Sequence, residues 1–171
     1  MTMGLLAAVV MLVTFLMEET VFVVLPLPWR LIPPSLVLAL ALMHRVSFEL
    51  GALFFLASTS AMILSGLAPV GLLVVAFICV FTAYGLSTHV FARRSLAAFG
   101  GLALVTGSVY FLLRFGVVAR VHGFFPWMGL FLAAMTALLA VVASLVLERT
   151  MSGFGKRFVT KSETYEVRGE R

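Results

Sequence analysis

Residues 124–147 read FFPWMGLFLAAMTALLAVVASLVL, a stretch without one charged side chain. A helix needs roughly 20 predominantly apolar residues to cross a hydrocarbon core of about 30 Å, and this stretch meets that length. The other structure able to satisfy its backbone in lipid, a closed β-barrel, alternates polar and apolar residues along each strand, which this run does not do. Ala133, Ala137, Ala140 and Ser144 recur within it at i, i+4, i+7 and i+11, the spacing of one helix face. Small residues in such a stripe let two helices approach closely.

Working outward, four further stretches meet the same standard: 4–25, 46–65 (closing on Ser65-Gly66), 70–91 and 96–118. Ala97 with Gly101, and Ala103 with Gly107, give small-residue pairs in the last of these. Residues 31–43 form a shorter apolar stretch confined between Arg30 and Arg45. The gap between those arginines is about 21 Å of helix, short for a span unless both snorkel or the bilayer thins. Pro26, Pro28, Pro33 and Pro34 interrupt its approach, and Pro33-Pro34-Ser35 suits a helix start. The pattern predicts an all-α, polytopic transmembrane bundle of six spans, the second short or partly re-entrant, with five spans as the alternative.

Composition agrees. The chain of 171 residues is 63% hydrophobic and 11% charged, with a mean hydropathy of +1.17. A soluble domain carries about 25% charged residues, so this surplus of apolar surface calls for lipid or other membrane helices as its solvent. All seven acidic residues are glutamate. The net charge of +5 gives no sign of nucleic-acid binding, because the cations cluster at span ends and in the tail. The N-terminus lacks the basic region of a signal peptide and is expected to be a retained span. Cys79, the single cysteine, is expected to be a buried, inert thiol.

Orientation follows from arginine and lysine. Six spans with the tail inside put nine basic residues on the inner side and three (Arg30, Arg114, Arg120) on the outer; five spans give ten against two. Both versions place the tail in the cytoplasm and leave the N-terminus open. The tail, 148–171, has no apolar period and is expected to be mostly disordered or to lie on the membrane surface. The first reading of its Lys156, Arg157 and Lys161 is a solvated tail that sets topology; with Phe154 and Phe158 they also suit weak binding of anionic lipid.

Charges inside spans are costly and mark the first sites to consider. Under six spans Glu18, Glu19 and Arg114 share the outer half of the bundle, which predicts an interhelical ion pair between Arg114 and one of the glutamates. The alternative places the glutamates at a water-filled vestibule with Arg114 snorkelling outward. Glu49, one turn from His44 and Arg45, reads as a local cap or interfacial salt bridge. His89 and His122 read as interfacial histidines, and Trp29 and Trp127 as members of an aromatic belt. No serine-hydrolase elbow, zinc-protease motif, P-loop or dinucleotide fingerprint is present, and the lack of aspartate removes the usual carboxylate-metal sites. The expectation is a protein without catalytic activity or cofactor.

One segment carries a family resemblance. Leu31-Ile32-Pro33-Pro34 through Met43, then Gly51 onward, then the turn Ser65-Gly66-Leu67-Ala68-Pro69-Val70-Gly71 resemble the pattern of the rod shape-determining protein MreD family. The likeness covers roughly residues 25–91. It departs from the family at Met62, near where an acidic residue is common. The resemblance implies a scaffold in the bacterial inner membrane, serving cell shape and peptidoglycan synthesis. Its partners would be other integral membrane proteins and an MreC-like periplasmic protein, besides lipid; oligomeric state stays open. The alternative is a substrate-binding component of an energy-coupling-factor transporter, a family of six-helix proteins of similar length. In that case Glu18, Glu19, Arg30, Arg114, Arg120 and His122 would line an outer pocket. An accessory subunit of another membrane complex is a third reading.

Overall fold

The computed structural model describes residues 31–66, 68–89, 95–118 and 126–166. The stretch 4–25, with Glu18 and Glu19, lies outside the described residues, as do Trp29, Arg30, Arg93, Arg94, Arg120 and His122. Among the described residues the chain is helical, without strands: α1 is Pro34–Arg45, α2 Phe48–Leu64, α3 Gly71–His89, α4 Leu96–Leu113 and α5 Pro126–Glu166, with a π-helical turn, Arg114–Val118, prolonging α4. Two stretches are long and apolar enough to cross a membrane, Leu96–Gly116 and Trp127–Thr150; Pro34–Arg45, Phe48–Leu64 and Gly71–Ser87 are shorter apolar helices.

Each helix starts where the sequence provides for it. Pro33 is extended and Pro34 takes the first helical position of α1, where a missing N–H costs nothing. His44 and Arg45 close α1, placing cationic and polarizable groups against its negative end. Ser47 caps α2 by accepting from the Leu50 N–H at 3.2 Å, and Ser95 caps α4 by accepting from the Ala98 N–H at 3.5 Å. The turn after α2 uses Gly66 at φ +78, in the left-handed region that glycine enters freely. Its N–H donates to the Ile63 carbonyl at 3.0 Å. Pro69 then opens the next turn, accepting from the Leu72 N–H at 2.9 Å just inside α3, which begins at Gly71.

The five helices close into a ring: α1 packs on α2, α2 on α3, α3 on α4, α4 on α5, and α5 returns to α1. α1 has little free surface, with Ser35, Leu36, Val37, Ala39, Leu40 and Ala41 all buried. Only Val46 and Ser47 separate it from α2, so the hairpin is tight. Gly51 permits that closeness. A Cβ built there would lie 2.6 Å from the Ala39 carbonyl oxygen and 2.7 Å from the Met43 nitrogen, both backbone atoms. In α3 the buried face is Leu72, Val75, Ala76, Cys79 and Ala83, whereas Val74, Phe77, Phe81 and Tyr84 are exposed.

The α5 backbone continues past the apolar segment and is helical through Glu166. No proline follows Pro126 in this helix to remove a donor from its ladder.

Gly51→Ala should lower the melting temperature of the detergent-solubilised protein, because overpacking of about 1–3 kcal/mol outweighs the better helix propensity of alanine. Gly100→Ala is the control: its Cβ would meet only Val141 Cγ2 at 3.8 Å, and stability should hold or rise by up to about 1 kcal/mol. Equal shifts in circular-dichroism melts of the two variants would remove the close-approach explanation.

Candidate functional site: a polar clamp joining three helices

The alanine stripe of α5 lies at its contact with α4 and α1. Ala133, Ala140 and Ser144 are fully buried and Ala137 nearly so. Opposite Ala133 stands Gly107, where an added Cβ would sit 3.3 Å from the Ala133 Cα. Ala103, one turn before Gly107, is buried too. The other small pair is placed differently, with Ala97 exposed and Gly101 half-buried.

At its far end the stripe becomes polar. Ser144 Oγ accepts a hydrogen bond from Arg45 Nε at 2.8 Å and lies 2.9 Å from His44 Nδ1. One turn on, Glu148 Oε2 stands 2.7 Å from Arg45 Nη2. From α4, the Phe99 ring stacks on the His44 imidazole at 4.2 Å between centroids, 12° from parallel. The end of α1, the start of α4 and the middle of α5 are thus tied by four side chains around one buried hydroxyl.

Ser144 Oγ receives the Arg45 N–H and keeps a second lone pair and its own hydrogen, so it serves His44 Nδ1 in either neutral tautomer of the imidazole. His44 Nε2 is buried without a hydrogen-bond partner.

A serine touching a histidine invites comparison with a nucleophile and its base. Here the hydroxyl has no exposed surface and is already occupied by Arg45, so a substrate carbonyl has no approach to it. The cluster's chemistry is that of a cross-link. The Arg45–Glu148 pair, whose side chains are 17% and 53% exposed, contributes at most about 1 kcal/mol in contact with solvent. The buried charge-assisted bond to Ser144 is worth more, about 1.5–3 kcal/mol.

Glu49 reads in the sequence as a local cap or an interfacial salt bridge. It occupies the exposed first turn of α2, where a carboxylate suits the positive helix end, while Arg45 reaches across the chain to Glu148. Ser144 and Glu148 are four residues apart, so both continue the face of the alanine stripe; a polar end to that stripe was the signal for the clamp.

The other sequence-derived sites fall as follows. Arg114 begins the π-helical turn. Its Nη1 donates to the Tyr110 hydroxyl at 2.8 Å, and its guanidinium carbon lies 5.6 Å from the Tyr110 ring centre and 5.7 Å from that of Phe115. The proposed pairing with Glu18 or Glu19 falls outside the described residues. Cys79 is buried, its Sγ 3.9 Å from the Thr106 carbonyl oxygen. Trp127 is exposed at the start of α5, and His89 ends α3. Ser65, Gly66, Pro69 and Gly71 form the turn between α2 and α3 described above. Comparison of the chain with protein-family models, curated proteins and solved structures finds no match.

Ser144→Ala should destabilise the protein by about 1–3 kcal/mol, since Arg45 Nε and His44 Nδ1 lose their shared partner in a buried place. Glu148→Gln should cost no more than about 1 kcal/mol. Thermal unfolding of both variants in the same detergent gives the ranking, and the reverse order would refute the clamp's stated hierarchy.

Proposed function

We propose that this chain is a multi-pass helical protein of a bacterial inner membrane, its C-terminus cytoplasmic, acting as a non-enzymatic scaffold of the MreD kind in the machinery of cell shape and peptidoglycan elongation. The observation that carries the membrane part is apolar surface facing outward. Of the two longest apolar windows only 39% and 33% is buried, and Leu104, Leu112, Leu130, Phe131, Leu138 and Val146 are exposed on α4 and α5. A core helix of a soluble protein is mostly covered; helices apolar on their free faces need lipid or membrane partners as solvent.

Six spans follow if 4–25 supplies the first and α1 the second. At 12 residues, α1 is about 18 Å long and too short to cross alone. Its burial between α2 and α5 supports its place in the bundle, because incomplete elements at membrane depth are tolerated when protein rather than lipid surrounds them.

The scaffold part rests on the resemblance of residues 25–91 to MreD and on the clamp. His44, Arg45, Ser144 and Glu148 are turned to one another, which suits a rigid body that binds other membrane proteins by its apolar faces. The exposed Val74, Phe77 and Phe81 of α3 offer such a face.

The test is purification of the tagged chain from carbonate-washed native membranes in mild detergent, with mass spectrometry of what it retains. An MreC-type periplasmic coiled-coil protein and cell-wall synthases are the expected partners. Release of the chain into the carbonate wash would sink the membrane assignment. Retention of an ATPase pair with a large helical coupling subunit would replace the scaffold with a transporter component.

A further inference from the structure

α3 is the short apolar helix that the bundle leaves uncovered. Of the three described helices that fall below the length of a full span, Pro34–Arg45 is buried among its neighbours, and Phe48–Leu64 exposes only Leu53 between Gly51 and Ile63. Gly71–Ser87 exposes a whole stripe. Val70, Val74, Phe77 and Phe81 recur at i, i+4, i+7 and i+11, so helical register sets them on one line. Ile78 flanks that line, and the five side chains are between 41% and 75% exposed. Val70 joins the first turn, its carbonyl accepting from the Leu73 N–H at 3.0 Å. No charged residue occurs from Val70 to Ser87.

We propose that this stripe is the contact between two copies of the chain, a twofold dimer in the membrane formed by α3 against α3. The inference rests on the membrane assignment above and names the occupant of the α3 face. Length selects a second copy. Gly71–Ser87 makes about 26 Å of helix, roughly 4 Å short of a hydrocarbon core. Lipid against so short a face must thin, and oligomerising relieves that mismatch. A second copy brings a helix of equal length at equal depth, which neither lipid nor a longer span of another protein does. Spacing agrees. Copies inserted with the same orientation set their α3 helices parallel about a twofold axis along the membrane normal, each residue facing its own counterpart. The 4-3-4 interval is that of helices interlocking side chains at about +20°, and a seam without charge carries no like-charge penalty. Area agrees as well: the five side chains offer roughly 500 Å² per copy, about 1,000 Å² for the pair, the lower bound for a specific interface. The dimer is therefore reversible rather than permanent.

The full chain, carrying one fluorophore on a C-terminal tag, is reconstituted in liposomes at falling protein-to-lipid ratios, and bleaching steps are counted in single vesicles. The wild type should hold two-step pairs to at least about tenfold greater lipid dilution than F77A/F81A, whose changes lie on the outer face and leave the core untouched. In the same liposomes, Phe81→Cys oxidised with copper phenanthroline should give a disulfide-linked pair, the native Cys79 being buried. Leu138→Cys, exposed on α5, should not. Single-step bleaching of the wild type at every ratio, equal pairing of wild type and F77A/F81A, or equal cross-linking of Phe81→Cys and Leu138→Cys overturns the dimer alone. Cross-linking of Phe81→Cys to a different polypeptide in native membranes gives the face to another partner and overturns the dimer too. A wild-type chain that fails to float with the liposomes overturns the membrane assignment along with it.

Discussion

α1 has almost no free surface, and the other described helices are arranged around the need to cover it. Leu36, Ala39, Leu40 and Ala41 are between 0% and 1% exposed. Such burial demands two neighbours at close range. Gly51 lets α2 lie against the Ala39 and Met43 backbone, and α5 closes the other side. Dispersion between atoms at optimal separation is small per pair and large in sum, and it is forfeited quickly as a gap opens. Helices so packed behave as one body, and α3 and α4 complete the ring.

Packing alone leaves register loose, because a stripe of alanines slides by a turn at modest cost. The clamp removes that freedom. Ser144 occupies the stripe position at which Arg45 Nε and His44 Nδ1 both reach one oxygen, and shifting α5 by a turn would leave three polar groups unsatisfied. An orphaned buried polar group costs about 1–3 kcal/mol, comparable to the gain from a well-packed side chain. Phe99 stacked on His44 brings α4 under the same constraint. Specificity here comes from the penalty on wrong arrangements rather than from the strength of the right one.

In the proposed membrane setting, this division of labour explains the outer surface. With polar residues turned inward and small residues used between helices, the free faces of α3, α4 and α5 are left to large apolar side chains such as Phe81, Leu112 and Leu138. Those faces are where lipid and partner proteins would meet the chain.

Helical class, the positions of α2 to α4 within a few residues, the proline-led start of α1 and the turn at Gly66 were legible in the sequence, because each depends on local pattern: apolar run length, a proline at a first turn, a glycine where φ must be positive. The stripe of Ala133, Ala137, Ala140 and Ser144 was legible as a face for the same reason. Its partners were not. Which helix meets that face, and that Arg45 finds Ser144 and Glu148 rather than nearby Glu49, depends on contacts between residues about 100 positions apart, and no local period encodes them. Sequence by itself determined the elements and the faces they present; the tertiary structure decided which faces meet, because that choice is made by the burial of particular polar groups at particular depths.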